Sequence, residues 1–203
     1  MTTLEYLEKH LPAAKAQSII NYLSACTCTL KITRQRKTKR GDFRQQGEKR
    51  SISVNHDVNS FRFLFTLTHE LAHLETFMQH KNRVKPHGKE WKINFRKLYY
   101  AFHIDEEFSK DEQIERVVAE ELKNPRACSG IDVGVERAFA AHDEEQGIYL
   151  EQLPEGAYFV FGIHHYQKIE TRRTRVVCLN LSNNRKYTIH KAAKIEWVNA
   201  KRP

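Results

Sequence analysis

The sequence predicts an α+β protein in two parts, a mostly helical body and a β-rich C-terminal module. Three observations predict it. Apolar residues recur at three- and four-residue steps through 60–79, and similar stripes follow before residue 147. Beyond that point the texture changes to short β-rich runs separated by turn residues. The 203 residues allow one full core or two small ones, and a 10% aromatic content is too rich for a disordered chain. The domains are therefore expected at 1–147 and 148–203.

Each element has its own signal. Thr2 and Glu5 have capping-box spacing, and Leu4, Leu11, Ile19, Ile20 and Leu23 fit one or two short helices interrupted near Pro12. Residues 27–33 (TCTLKIT) alternate as a strand, with Cys26 and Cys28 on one face. No nearby Cys or His completes a site there, so a thiol pair is expected rather than metal ligands. Gly41-Asp42 and Gly47 mark turns, and residues 51–54 read as a second short strand. The basic run 34–50 is then a hairpin or an exposed edge. In 60–79 (SFRFLFTLTHELAHLETFMQ), Phe61, Leu64, Leu67, Leu71, Leu74 and Met78 form the clearest stripe, with Asn59 or Ser60 as N-cap. After a loop with Asn82 and Pro86, Trp91, Phe95, Leu98 and Phe102 stripe a second helix. Ile114, Val117, Val118 and Leu122 stripe a third. Asp132 is placed to cap a fourth, carrying Val135, Phe139 and Ala140 and ending near Gly147. The runs within 148–198 are punctuated by Pro154, Gly156 and Ser182-Asn183-Asn184, which suggests a small antiparallel barrel with Trp197 in its core.

Charge is clustered. Residues 31–50 hold nine Lys and Arg against Asp42 and Glu48, a net of +7. Residues 164–203 hold ten against Glu170 and Glu196, a net of +8. With +9 for the whole chain, the rest sums to −6. Two concentrated basic segments attract polyanions and gain from counterion release, so DNA is the expected partner. The candidate contacts are Arg34, Arg36, Lys37, Lys39, Arg40, Arg172, Arg173 and Arg175. Aromatics of 158–166 are candidates for base stacking, although core residues of short strands look the same. No stretch reaches 18 uninterrupted apolar residues, so no membrane span is expected. MTTLEYLEKHLP has neither a basic start nor an apolar run, which points away from a secretory signal and toward a cytoplasmic or nucleoid-associated protein with free thiols. Cys128 shows no activating neighbour in the sequence and is not read as a nucleophile.

The chemistry lies in His69-Glu70-Leu71-Ala72-His73. One helical turn separates the two histidines, so both imidazoles can reach one ion about 2.0–2.1 Å from each nitrogen. Glu70 faces the open side of that ion, where its carboxylate can take a proton from an activated water and pass it to a leaving amine. A catalytic zinc needs a third protein ligand. His80 is two turns beyond His73, a rise of roughly 10 Å, and Glu75 is rotated about 200° away from it. Glu90 competes as a ligand or a supporting partner. His87, in Pro86-His87-Gly88-Lys89-Glu90-Trp91, stands where a loop enters the next helix and is the expected third ligand, with Trp91 packed behind it. Zinc is inferred from the ligand type, one ion per chain.

The run from Thr66 through His73, followed by His87-Gly88-Lys89-Glu90-Trp91-Lys92, resembles the SprT-like, Spartan-type zinc metalloprotease domain in order and spacing over about residues 25–100. The resemblance implies a zincin-like core with His69, His73 and His87 as ligands and Glu70 as the catalytic carboxylate. It also implies an endopeptidase acting on DNA-bound or DNA-crosslinked protein in DNA repair. Residues 124–129 and 172–175 are similar to a bacterial subgroup. Many members carry a zinc ribbon at the C-terminus, whereas here only Cys178 follows Cys128. His164, His165 and His190 are the residues that could join Cys178 around a second ion, but without C-x-x-C pairs a metal-free β module with a basic hairpin at 168–175 is expected instead. An extended substrate is expected to pair with the strand at 51–54. The alternative reading is a nucleic-acid-binding module with a structural zinc. A third is a general peptidase with incidental charge.

Overall fold

The computed structural model describes residues 2–34, 36, 39–56, 59–127, 133–143 and 148–197, without the side chains of Glu196 and Trp197. Two compact units divide the chain, 1–142 and 143–203. The architecture is α+β.

The first unit opens with α1 (Thr3–Leu7) and α2 (Ala13–Ala25), split at Pro12. The capping box forms: Thr2 Oγ1 accepts from the Glu5 N–H, and the Glu5 carboxylate accepts from the Thr2 N–H. A three-stranded sheet follows, with β1 (Cys28–Thr33), β2 (Gly41–Gln46) and β3 (Lys49–Asn55) in the order β1-β3-β2. β1 runs parallel to β3, and β2 and β3 form an antiparallel hairpin around Gly47, whose φ of 59° suits a residue without Cβ.

This topology corrects three expectations. β3, which contains 51–54, is paired on both sides and has no edge to offer a substrate; β1 and β2 are the edge strands, and β2 is the one that lies against α3 at Glu70. Gly41-Asp42 is no turn but the start of β2. Cys26 closes α2 and Cys28 opens β1, with Thr27 at φ 49° between them, so the two thiols share no strand face.

The long helix α3 (Ser60–His80) is capped by Asn59, whose side chain accepts from the Arg62 N–H. The periodic stripe describes one covered face, yet every residue from Arg62 to Ala72 is buried. The reason is that α3 lies between the sheet, touching β2 and β3, and a second helical layer of α4 (Lys89–Ala101) and α5 (Ile104–Phe108). Phe63, Phe65, Leu67 and Leu71 join Trp91, Phe95 and Phe108 in one core. The five-residue α5 escaped sequence reading because it is too short for a period to register. α6 (Glu112–Lys123) is capped by Asp111. α7 (Val133–Ala140) ends well before Gly147, which lies, with Asp132 and Cys128, outside the described residues.

The second unit is an antiparallel sheet of β4 (Ile148–Tyr149), β5 (Tyr158–Phe161), β6 (His164–Thr171), β7 (Arg175–Asn180), β8 (Lys186–His190) and β9 (Lys194–Trp197). Its hydrogen-bonded order is β4-β9-β5-β6-β7-β8, a ladder that among the described residues does not close into the expected barrel. Phe159 and Tyr166 stack at 5.6 Å inside its core and so cannot receive bases. Lys168 is buried at 2% exposure, and its ammonium donates to the carbonyls of Leu150 (3.2 Å), Glu151 (3.1 Å) and Leu153 (2.6 Å). All three of its protons therefore tie the short 3₁₀ turn at Leu150–Gln152 to β6. Lys168→Ala should strand these carbonyls and destabilise the second unit by about 3 kcal/mol, read as a lower urea midpoint for its unfolding transition.

Candidate metal centre

α3 presents His69 and His73 one turn apart, and α4 packs back along α3 so that the loop before it returns to the same place. Lys81, at φ 55°, ends α3, and His87 immediately precedes Gly88, the N-cap of α4. The Nε2 atoms of His69 and His73 are 3.1 Å apart, those of His73 and His87 3.1 Å, and those of His87 and His69 3.2 Å. Three nitrogens each about 2.0–2.1 Å from one tetrahedral ion lie about 3.3 Å apart, so the triangle has the size that a zinc ion requires. A neutral imidazole has a single N–H, and three Nε2 atoms meeting at one point cannot all satisfy one another. A shared cation satisfies all three lone pairs. Among the described residues, this is the one group of three His, Cys, Asp or Glu side chains placed to hold an ion.

The other residues weighed for the site lie outside the triangle. Glu75 accepts from the Tyr22 hydroxyl (2.7 Å), Lys97 Nζ (2.8 Å) and Gln79 Nε2 (2.9 Å). Neither His80 nor Glu90 joins the cluster, nor does any of Cys178, His164, His165 and His190 form a second one. Trp91 packs against all three rings, with centroids 4.6 Å from His69, 5.5 Å from His73 and 4.8 Å from His87. Its Nε1 donates to the His69 carbonyl at 3.4 Å. The Nδ1 of His69 is buried with no hydrogen-bond partner among the described residues, so that ring is oriented by packing rather than by the carbonyl or carboxylate that usually holds a ligand histidine.

Electrostatics keep the triangle neutral. Burial lowers the pKa of His69 well below its usual value, and the neighbouring His73 and His87 add to the effect. Burial and then His87 bring His73 down to about 4, and burial and then Lys92 lower His87. Unprotonated imidazoles are the form that binds metal.

Glu70 lies beside the triangle and is 5% exposed. Burial and then the charge of Asp42 push its pKa up to about 8, against the opposing influence of the Phe43 backbone and the charges of Arg36 and Lys39. Gly41 is the closest approach: a Cβ there would meet Glu70 Oε1 at 2.5 Å and Thr66 Cγ2 at 2.7 Å. The neighbours supplied by β2 escaped sequence reading. The available signal was Gly41 itself, since a glycine inside a strand marks close approach of another group.

The nucleic-acid candidates separate into two sets. Arg36 donates to Asn55 Oδ1 (2.8 Å) and Ser53 Oγ (2.9 Å), Lys39 meets Asp42 (2.8 Å), and Arg40 meets Glu136 (2.5 Å), so these three are held by the fold. Arg34, Arg172, Arg173 and Arg175 are exposed, with Arg172 near Glu170 at 3.3 Å. Lys37 lies outside the described residues.

The SprT-like family model matches residues 13–115, just over half of the chain. No curated protein and no solved structure matches. No described helix is long and apolar enough to cross a membrane. Dialysed protein reloaded with zinc should hold one ion per chain by elemental analysis, and its melting temperature should rise with zinc. His87→Ala should weaken that binding at least tenfold and remove most of the rise.

Proposed function

The chain belongs to the SprT-like family, and from that premise we propose that it is a zinc-dependent endopeptidase with a zincin-like core, in which Glu70 moves the proton. The observation that carries this reading is a buried glutamate, packed against the start of β2, on the same helix as two of three converging imidazoles. His69, His73 and His87 would hold the ion, which when bound supplies Lewis acidity toward water and the scissile carbonyl. The charge of a bound cation would favour the ionised form of Glu70, whose carboxylate would take the proton from the attacking water and return it to the leaving amine, so that one group serves as base and then as acid. A site built only to hold the fold together has no use for a carboxylate so placed.

The substrate fits as an extended segment. β2 is paired with β3 on one side only, and its start lies against Glu70. A peptide added antiparallel to that edge would satisfy the unpaired backbone groups of β2 and pass the metal in an extended conformation, which selects unfolded or locally opened protein. DNA-bound protein is the finer part of the proposal. The turn between β6 and β7 concentrates Arg172, Arg173 and Arg175 on an exposed hairpin, a form suited to phosphate contact.

Glu70→Gln should retain zinc and lose cleavage of an unstructured protein by about 10²–10⁴-fold; unchanged turnover with full metal content would overturn the assignment. Replacing Arg172, Arg173 and Arg175 together with alanine should weaken DNA binding in a filter or anisotropy assay and lower its log–log salt slope by up to about 3, while cleavage without DNA is unaffected.

A further inference from the structure

α7 lies beyond residue 115, where the family match ends, yet its one buried carboxylate reaches into the framework of the metal cleft. Glu136 accepts from Arg40 through both terminal nitrogens, at 2.5 and 3.2 Å, and from Arg62 Nη1 at 2.5 Å. Burial alone would raise the pKa of Glu136, but the two guanidiniums hold it down at about 2, so it is a fixed anion and not a proton carrier. Arg62 sits in the first turn of α3, and Asn59, the cap of that helix, donates to the Phe139 carbonyl at 2.7 Å. α7 is thus fastened to the start of the metal-binding helix. Arg40 extends the fastening to the sheet, because the next residue, Gly41, begins β2.

We propose that Arg40 and Glu136 are positioning residues that clamp the edge strand β2 against Glu70, making α7 part of the catalytic framework. The reason a clamp is needed is the lack of slack at Gly41. An added Cβ would be 2.5 Å from Glu70 Oε1, 2.7 Å from Thr66 Cγ2 and 2.8 Å from Glu70 Cγ. A shift of β2 toward α3 by a fraction of an ångström presses on Glu70, and a shift away opens the packing around it. The hairpin with β3 holds β2 on one side only. The Asn55 N–H donates to the Arg40 carbonyl at 2.9 Å, which anchors the main chain at this point, and the Arg40 side chain then ties the same point to α7. The clamp also gives Arg40 a role that competes with phosphate contact. This inference rests on the peptidase reading for its kinetic consequence but not for its structural one.

The test uses the full chain loaded with zinc and the variant Arg40→Ala, which leaves the pair between Glu136 and Arg62 in place. Hydrogen–deuterium exchange in residues 41–46 should quicken about tenfold or more while α3 is unchanged, with one zinc per chain retained. Cleavage of an unstructured protein without DNA should fall by about 10- to 100-fold in kcat/KM, with a raised KM. Loss of folded protein alone would lower kcat and leave KM where it was. Arg40→Lys, which keeps one ion pair, should recover part of both effects, and Glu136→Gln serves as the second variant if Arg40→Ala does not fold. Wild-type exchange in 41–46 together with wild-type KM would overturn the proposal, whether or not DNA affinity falls. If the wild-type protein cleaves nothing, the peptidase reading fails, and the exchange measurement still decides the clamp.

Discussion

The structure depends on one constraint: the helix that carries His69 and His73 is also the centre of the core. α3 is covered on both sides over Arg62 to Ala72, so His69 and Glu70 are withdrawn from water by folding itself. A polar group buried without a partner costs on the order of 1–3 kcal/mol, and α3 supplies partners at nearly every turn. Thr68 donates back to the Leu64 carbonyl at 2.8 Å, Thr76 accepts from Asn94 at 3.0 Å, and Arg62 meets Glu136. The three imidazoles are the exception. Their lone pairs face one another, and adding a proton to any of them is opposed by burial. A divalent ion resolves this conflict for all three at once.

Rigidity around that point has two sources. On one side Trp91 packs against every ring of the triangle and joins it to Phe95, 5.3 Å away, and so to the body of the core. Packing of this kind fixes ring planes without a directed hydrogen bond, which accounts for an unpartnered His69 Nδ1. On the other side β2 passes so close to Glu70 that only glycine fits at position 41. Helix, indole and strand therefore set the relative positions of ligands and carboxylate, and no loop other than the one bearing His87 contributes a ligand.

Basic residues are abundant in this chain, but their number does not measure what is available to a partner. Arg36, Lys39 and Arg40 hold the segment between β1 and β2 in place, and Lys168 is enclosed by three carbonyls. For Arg36, Arg40 and Lys168 the side chain is long enough to reach inward and donates more than one proton at once, which makes Lys and Arg useful as internal ties as well as surface charge. The exposed guanidiniums at 172–175 are of a different kind, carried on a turn between two strands.

The sequence by itself determined what depends on local spacing. His69 and His73 share a face because 3.6 residues make a turn, a cap at Asn59 or Ser60 follows from side chains able to accept from the first turn, and the six strands of the second unit follow from β-rich runs between turn residues. That His87 would join His69 and His73 was also legible, since a histidine at the entry to the next helix can be brought back by an antiparallel packing of two helices. What only the tertiary structure decided was which groups, distant in sequence, stand beside one another. That β3 is interior and β2 an edge, that Gly41 is a contact and not a turn, and that Glu136 reaches Arg40 across 96 residues are consequences of strand order and helix packing. Period and propensity act over a few residues and carry no record of such pairings; they become fixed only when the core closes around α3.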